Sequence, residues 1–215
     1  MRKVFIAELQ LVGDSLIEMS TMVEAAVVAA GKALETADLE AAERVITEDQ
    51  KIDDLQQSID ERCVDLLARQ QPVASDLRLI VAALRMSMTL ERMGDLARHL
   101  AQVTRNRYPA LAVHPAARET ITKMIEAARV VSGEVGALLE SRDLALAAQI
   151  KADDDVLDDL HSEIFALLLG DSWDGTVQEV LDLTLVSRYL ERFGDHATTI
   201  AGRVEFLVGS ADGQL

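Results

Sequence analysis

Apolar residues recur every three or four positions along almost the whole chain, which is the spacing of one face of an α-helix. Three such stripes lie in the first half of the sequence. The first joins Leu9, Val12, Leu16, Met19, Met22, Val23, Ala26 and Ala30, the second Val45, Ile52, Leu55, Ile59, Cys63 and Leu66, and the third Leu77, Ile80, Leu84, Met88, Met93 and Leu100. Stripes of this length predict long helices that pack against one another.

Polar and proline-containing stretches interrupt this pattern. Asp38 and Asp143 are suited to cap the helices that follow them, because an aspartate side chain accepts hydrogen bonds from the free amides of a first turn. Pro72 predicts a turn, residues 107–115 the one long loop, and residues 170–175 a tight polar connection. The sequence therefore predicts six helices, near residues 4–36, 38–70, 75–106, 114–141, 143–169 and 174–208.

Two blocks of sequence occur twice in the same order, which indicates an internal duplication. "DLEAAERVITEDQKIDDL" at 38–55 matches "DLALAAQIKADDDVLDDL" at 143–160 with a shift of 105. "SMTLERMGDLA" at 87–97 matches "SRYLERFGDHA" at 187–197 with a shift of 100, so the second half lacks five residues between its second and third helices. We predict an all-α fold of two tandem three-helix bundles, residues 1–107 and 114–209, joined by a linker at 108–113.

Composition and net charge limit the classes of function that the chain can have. Aromatic residues make up only 3% of the chain, which favours helices over strands, and the net charge is −16. This charge argues against binding to nucleic acid or to an anionic membrane, since both require a basic surface on the protein. A negative net charge instead favours the binding of cations or of a partner protein with a basic surface. The single cysteine, Cys63, is predicted to lie in the core and fits the cytoplasm. No segment is apolar enough to span a membrane, and Glu8 interrupts the start too early for an export signal, so we expect a cytoplasmic protein.

The sequence motifs "LERMGD" at 90–95 and "LERFGD" at 190–195 each place a glutamate four residues before an aspartate. Residues four apart share one face of a helix, and the preceding helix of each half carries two aspartates with the same spacing. Consecutive helices joined by a short turn are antiparallel neighbours. Four carboxylates should therefore converge in each half: Asp49, Asp53, Glu91 and Asp95 in the first, and Asp154, Asp158, Glu191 and Asp195 in the second.

These clusters have two interpretations. Like charges this close repel unless a cation neutralises them or their pKa values rise, and oxygen ligands favour Mg²⁺, Mn²⁺, Fe or Ca²⁺. In a chain with 37 acidic residues, such pairs also occur as a plain solvated face, where Arg92 and Arg192 would neutralise them as surface ion pairs. Gly94 and Gly194 allow either close helix packing or the approach of a ligand, and packing is the favoured interpretation.

Other motifs are weak. Asp158 and His161 have the spacing of half of a di-iron Glu-x-x-His pattern, but Gln56 stands where the first half would need the matching histidine. The four histidines lack zinc-ligand spacing. The sequence contains neither a glycine-rich phosphate loop nor a nucleophilic serine elbow.

Two three-helix repeats, each combining a "DxxxD" helix with a "LER(M/F)GD" helix, resemble the PhoU family of phosphate-specific transport system accessory proteins. The likeness covers nearly the whole chain and is closest in "QPVASDLRLIVAALRMSMTLERMGDLARHLA" at 71–101. The N-terminal pattern of Phe5, Leu9, Leu16 and Met19 agrees with it. The second repeat departs from the first, since "PVASDLR" has no good counterpart there.

The resemblance implies a non-enzymatic, cytoplasmic negative regulator of phosphate uptake and of the phosphate-starvation response. Its implied partners are the ATPase subunit of a phosphate ABC transporter and a sensor histidine kinase, with homodimer formation left open. It also implies multinuclear metal clusters on the bundle surface, held by the same eight carboxylates and containing Fe, Mn, Mg or Zn. The alternatives are an acidic metal-binding scaffold and a storage bundle, neither with a role in phosphate signalling.

The two clusters are predicted to differ. The second half packs five aspartates into seven residues, 153–159, whereas the matching first-half stretch includes Lys51. The second cluster should therefore be more negative and should bind a divalent cation more tightly. His196 follows Asp195 where Leu96 follows Asp95. Because adjacent residues point about 100° apart around a helix, His196 is expected to flank the site; as a ligand it would favour Zn²⁺ or Fe.

Overall fold

The computed structural model describes residues 2–70, 72 and 74–212. This part of the chain contains six α-helices, one short 3₁₀ helix at Pro115–Ala117 and no strand. The α-helices are α1 (Arg2–Thr36), α2 (Leu39–Gln70), α3 (Ala74–Arg107), α4 (Arg118–Ser141), α5 (Leu144–Leu169) and α6 (Val177–Asp212). The all-α fold of six helices is confirmed. The turn predicted at Pro72 borders residues 71 and 73, which lie outside the described residues.

The duplication is visible in the backbone where the first helix of each half ends. Ala37 and Arg142, which are 105 positions apart, both adopt the left-handed conformation, with φ angles of 53° and 57°. Each is followed by an aspartate that caps the next helix: Asp38 Oδ1 and Asp143 Oδ1 each accept a hydrogen bond of 2.9 Å from a first-turn amide. The predicted caps are therefore confirmed, and the same turn is built twice.

Helix α6 begins at Val177, later than the predicted start near residue 174. Thr176 and Glu179 form a capping box there. The amide of Thr176 donates to Glu179 Oε2 at 2.7 Å, and the amide of Glu179 donates to Thr176 Oγ1 at 3.2 Å. Such reciprocal bonds satisfy the free amides of a first turn, which places the helix start at the residue after the threonine.

Each half packs its three helices against one another, and the halves join along α1 with α4 and α3 with α6. The buried apolar residues form a single core that extends through both halves and includes Cys63, as predicted. The end of α3 is tied to α6 by an ion pair, in which Arg107 Nε lies 2.5 Å from the buried Asp182 Oδ2. Residues 108–113 lie between α3 and the 3₁₀ helix. That residues 1–107 and 114–209 are separate domains stays a prediction.

The described helices include none with an apolar stretch long enough to cross a membrane.

The third predicted apolar stripe was wrong at two positions. Leu77 and Met88 are 41% and 55% exposed. The buried face of α3 instead runs through Ile80, Ala83, Ser87, Leu90, Gly94, Ala97 and Leu100. Serine and glycine continue this face without contributing a large apolar side chain. The spacing of large apolar residues alone therefore assigns Leu77 and Met88 to the buried face, although both lie on the neighbouring exposed surface.

Gly94 of α3 faces Asp49 and Ile52 of α2, and Gly194 of α6 faces Asp154 and Leu157 of α5. A β-carbon on Gly94 would lie 3.0 Å from Ile52 Cδ1 and 3.4 Å from Asp49 Oδ1. A β-carbon on Gly194 would overlap Asp154 Oδ1. The favoured interpretation of close packing is therefore supported at both glycines, and the approach of a ligand stays a prediction.

Replacing Gly194 with alanine is expected to lower the free energy of unfolding by about 1–3 kcal/mol, the usual cost of overpacking. The added β-carbon would meet Asp154 and would lie 2.7 Å from Leu157 Cδ1. At Gly202 on the same helix, an added β-carbon would meet none of the described residues within 4 Å, apart from the helix's own backbone, so Gly202→Ala should raise the same free energy by up to about 1 kcal/mol. Urea unfolding measures both. Equal effects of the two variants would contradict close packing at Gly194.

Candidate metal centre

In the first half, α2 and α3 bring the four predicted carboxylates together. Asp49 is buried beside Gly94, and burial raises its pKa to about 6, with Asp53 and Asp95 adding to the rise and Arg98 opposing it. The pKa values of Asp53 and Glu91 are raised as well, mainly by burial and then by the charge of Asp95. The two acidic pairs therefore lie close enough to interact through their charges, and their role as metal ligands stays a prediction. We call these four residues the first cluster.

Two arginines neutralise much of the first cluster. Arg98 Nε lies 2.9 Å from Asp49 Oδ2, and the same guanidinium donates to Asp95. Arg92 Nη1 lies 3.2 Å from Asp95 Oδ2, and Arg92 Nε lies 3.5 Å from Glu91 Oε2. The alternative of ion pairs is confirmed for Arg92, whereas Arg192 forms no ion pair with the described residues. Arg98, which makes the more buried contact, was missed by the sequence analysis.

In the second half, α5 and α6 assemble the corresponding second cluster: Asp154, Asp158, Glu191 and Asp195. Burial raises the pKa of Asp154 to about 7, and the charges of Asp158, Asp195, Asp155 and Glu191 contribute. The pKa of Glu191 is raised too, again by burial first and then by Asp195. The same four-carboxylate arrangement is thus repeated around Gly194.

The second cluster has much less compensating charge. Among the described residues, the only ion pair that reaches it joins Arg188 Nη1 to Glu191 Oε1 at 2.5 Å. Asp154 Oδ1 and Glu191 Oε2 are buried and have no hydrogen-bond partner among the described residues. Thr198 occupies the position that matches Arg98, and its hydroxyl donates to the backbone oxygen of Asp195 at 2.8 Å. Negative charge therefore remains unpaired in this cluster.

The second cluster suits a metal ion better than the first. Its unpaired buried oxygens are the ligands that hard and borderline cations prefer, whereas an arginine already occupies the first. In the described part of the chain, no three His, Cys, Asp or Glu side chains are drawn together as a ready ligand set. Repulsion between ionised carboxylates favours rotamers that keep them apart. Binding would therefore require these side chains to turn toward a shared cation.

Two histidines lie beside the second cluster. His196 is half-buried, and burial followed by the charge of Arg192 lowers its pKa. That His196 flanks the metal site stays a prediction. His161 packs its ring edge-on against Phe165, with ring centroids 4.8 Å apart, and its pKa is lowered mainly by burial. No matching histidine accompanies it in the described chain, so the di-iron half-pattern remains incomplete.

The raised pKa of Asp154 predicts a pH-dependent stability. The folded protein holds this proton up to about pH 7, while the unfolded chain releases it near the ordinary value of 3.8. The ionised group therefore destabilises the fold most above pH 7, and stability recovers as the pH falls from 7 toward 4. In buffer that contains a metal chelator, so that no cation neutralises Asp154, the variant Asp154→Asn should have a clearly higher melting temperature than wild type at about pH 8. The difference should be smaller at about pH 5.

The exposed neighbour Asp155 provides the control for this variant. Asp155→Asn removes the same formal charge from the same helix and should change the melting temperature little at either pH. A gain from Asp154→Asn that is equal at both pH values would show that the charge of Asp154 does not destabilise the fold.

Comparison with known proteins agrees with this architecture. The PhoU domain family matches the chain twice, over residues 16–104 and 121–204. The chain is 38% identical over 206 residues to the phosphate-specific transport system accessory protein PhoU homolog 2 of Mycobacterium tuberculosis, covering 96% of this chain and 97% of that protein. It is 39% identical over 210 residues to PhoU homolog 1 of Mycobacterium leprae, covering 96% and 93%.

The fold is also similar to that of a solved PhoU structure. The crystal structure of PhoU from Pseudomonas aeruginosa superposes with a TM-score of 0.88 at 32% identity, over 96% of this chain and 99% of that one. Sequence and structure agree over the full length of both repeats, and the chain belongs to the PhoU family.

Proposed function

We propose that this chain is an accessory protein of phosphate-specific transport that restrains phosphate uptake and the phosphate-starvation response when phosphate is plentiful. The observation that carries the proposal is the match of both repeats, over nearly the whole chain, to proteins named as accessory proteins of that system. Its role is regulatory rather than catalytic. It acts in the cytoplasm as an adaptor between the ATPase subunit of a phosphate ABC transporter and a sensor histidine kinase, and it forms a homodimer.

An adaptor needs surfaces for partner proteins, and α6 offers one. Val177, Leu181 and Leu185 follow one another at four-residue intervals on this helix, and all three side chains are exposed. Phe165 and Leu169, near the end of the adjacent α5, are exposed too. Exposed apolar groups clustered in this way are typical of protein-binding surfaces. We name Val177, Leu181 and Leu185 the α6 stripe.

We further propose that the carboxylate clusters bind divalent or iron-type metal ions, Fe, Mn, Mg or Zn. The predicted ligands remain Asp49, Asp53, Glu91, Asp95, Asp154, Asp158, Glu191 and Asp195. A bound cation would supply positive charge between two helices that otherwise repel one another through their carboxylates. The unpaired oxygens of Asp154 and Glu191 are the observation that supports this role most directly.

Loss of this protein is expected to leave phosphate-starvation promoters active in phosphate-rich medium, because the proposed restraint on the kinase is gone. A promoter–reporter fusion in a deletion strain measures this effect. Any second PhoU homologue must be deleted as well, since homologs 1 and 2 both occur in Mycobacterium tuberculosis. Normal repression in such a strain would contradict the proposed regulatory role.

Complementation of that strain also tests the α6 stripe. Wild-type protein should restore repression, whereas a variant with Leu181→Ser and Leu185→Ser should not, provided that both proteins accumulate equally. The control carries Leu11→Ser and Val64→Ser, which change two other exposed apolar residues on α1 and α2. Full repression by the stripe variant would place partner binding elsewhere and leave the regulatory role intact.

Removing ligands of the second cluster should lower the metal content of the protein purified without chelator. The test variant carries Glu191→Gln and Asp195→Asn. The control carries Asp159→Asn and Glu163→Gln, which neutralise two exposed residues of α5. Inductively coupled plasma mass spectrometry should show reduced metal in the test variant alone, with an unchanged helical circular dichroism spectrum. Equal metal content in both variants would contradict binding at this cluster.

A further inference from the structure

The two carboxylate clusters differ most at one pair of matched positions. With the shift of 100 that aligns the "LER(M/F)GD" helices, Arg98 in α3 corresponds to Thr198 in α6. Both residues follow the last aspartate of their cluster by three positions, so both stand one helical turn beyond it on the same face. The four carboxylates are preserved between the halves, while the cation at this position is not.

Arg98 occupies the place between the facing helices of the first cluster. Its Nε lies 2.9 Å from Asp49 Oδ2 on α2, and its Nη2 donates to Asp95 on its own helix. The guanidinium therefore links an aspartate of α2 with an aspartate of α3, as a shared metal ion would. It is only partly exposed, and a metal ion could enter there only by breaking both contacts against the repulsion of the arginine charge.

Within the described part of the chain, no basic side chain links the two helices of the second cluster in this way. The hydroxyl of Thr198 is turned to the backbone of its own helix. Glu191 is only 8% exposed, and its Oε2 is unpartnered beside the acidic side chains of Asp158 and Asp195. Arg188 pairs with the other oxygen of Glu191 but is itself 50% exposed, so its side chain can move into solvent without opening the helix pair.

We propose that Arg98 is a built-in counter-cation that closes the first cluster to metal, so that the second cluster is the one that takes a divalent cation. This inference rests on the metal binding proposed above and makes it asymmetric. The arginine gives the first helix pair a permanent positive charge, whereas the second helix pair depends on the metal available in solution.

Exchanging the two residues tests the proposal. Metal-free protein is titrated with Mn²⁺ by isothermal titration calorimetry as wild type, Thr198→Arg, Arg98→Thr and the double exchange. Wild type should show one tight class of sites. Thr198→Arg should weaken it at least about tenfold, Arg98→Thr should add a second tight class at the first cluster, and the double exchange should restore one class.

The control is Ala152→Arg, which adds the same charge at an exposed position of α5. It should leave Mn²⁺ affinity within about twofold of wild type, because Ala152 precedes Asp154 by two residues and its side chain points about 200° away around the helix. If Arg98→Thr fails to fold, as judged by circular dichroism, the comparison of Thr198→Arg with Ala152→Arg still decides the outcome.

Two results would overturn the proposal. Equal weakening by Thr198→Arg and Ala152→Arg would show only a general effect of charge, and two equally tight classes in wild type would show that Arg98 does not close the first cluster. Either result leaves the proposed metal binding in place. The absence of Mn²⁺ binding by every protein in the series would refute the metal binding and the asymmetry together.

Discussion

The carboxylates of each cluster stand on two antiparallel helices, and these helices approach closely because Gly94 and Gly194 carry no β-carbon. Close approach removes Asp49 and Asp154 from water and sets them against acidic residues of the facing helix. Burial and like charge both disfavour the ionised form, which is why their pKa values rise to about 6 and about 7. The packing of each helix pair therefore requires a proton, a basic side chain or a bound cation.

The two halves meet this requirement in different ways. Arg98 supplies a fixed positive charge to the first cluster through Asp49 and Asp95. The second cluster keeps unpaired buried oxygens, so its charge depends on what the solution provides, whether protons or metal. The open cluster and the α6 stripe lie on the same helix.

Much of this architecture could be predicted from the sequence, since helix caps and repeated blocks are local signals. The caps Asp38 and Asp143 and the convergence of the carboxylates belong to this class. The buried face of α3 was harder to predict from the sequence, because small residues such as Ser87 occupy buried positions without adding to the periodic pattern of apolar residues. The capping box of Thr176 and Glu179 is a local signal as well, since a threonine three residues before a glutamate marks the start of a helix.

The role of Arg98 could not be predicted from one helix alone, since its contact with Asp49 crosses to α2 and depends on how far the helices approach. The Arg98–Thr198 difference between the halves was the available signal. Its consequence is tested most directly by an anomalous difference map from crystals soaked in Mn²⁺. A single strong peak among Asp154, Glu191 and Asp195, with the Arg98 guanidinium still between its two aspartates, is the predicted result. Peaks of equal height at both clusters, or none at the second, would contradict the account.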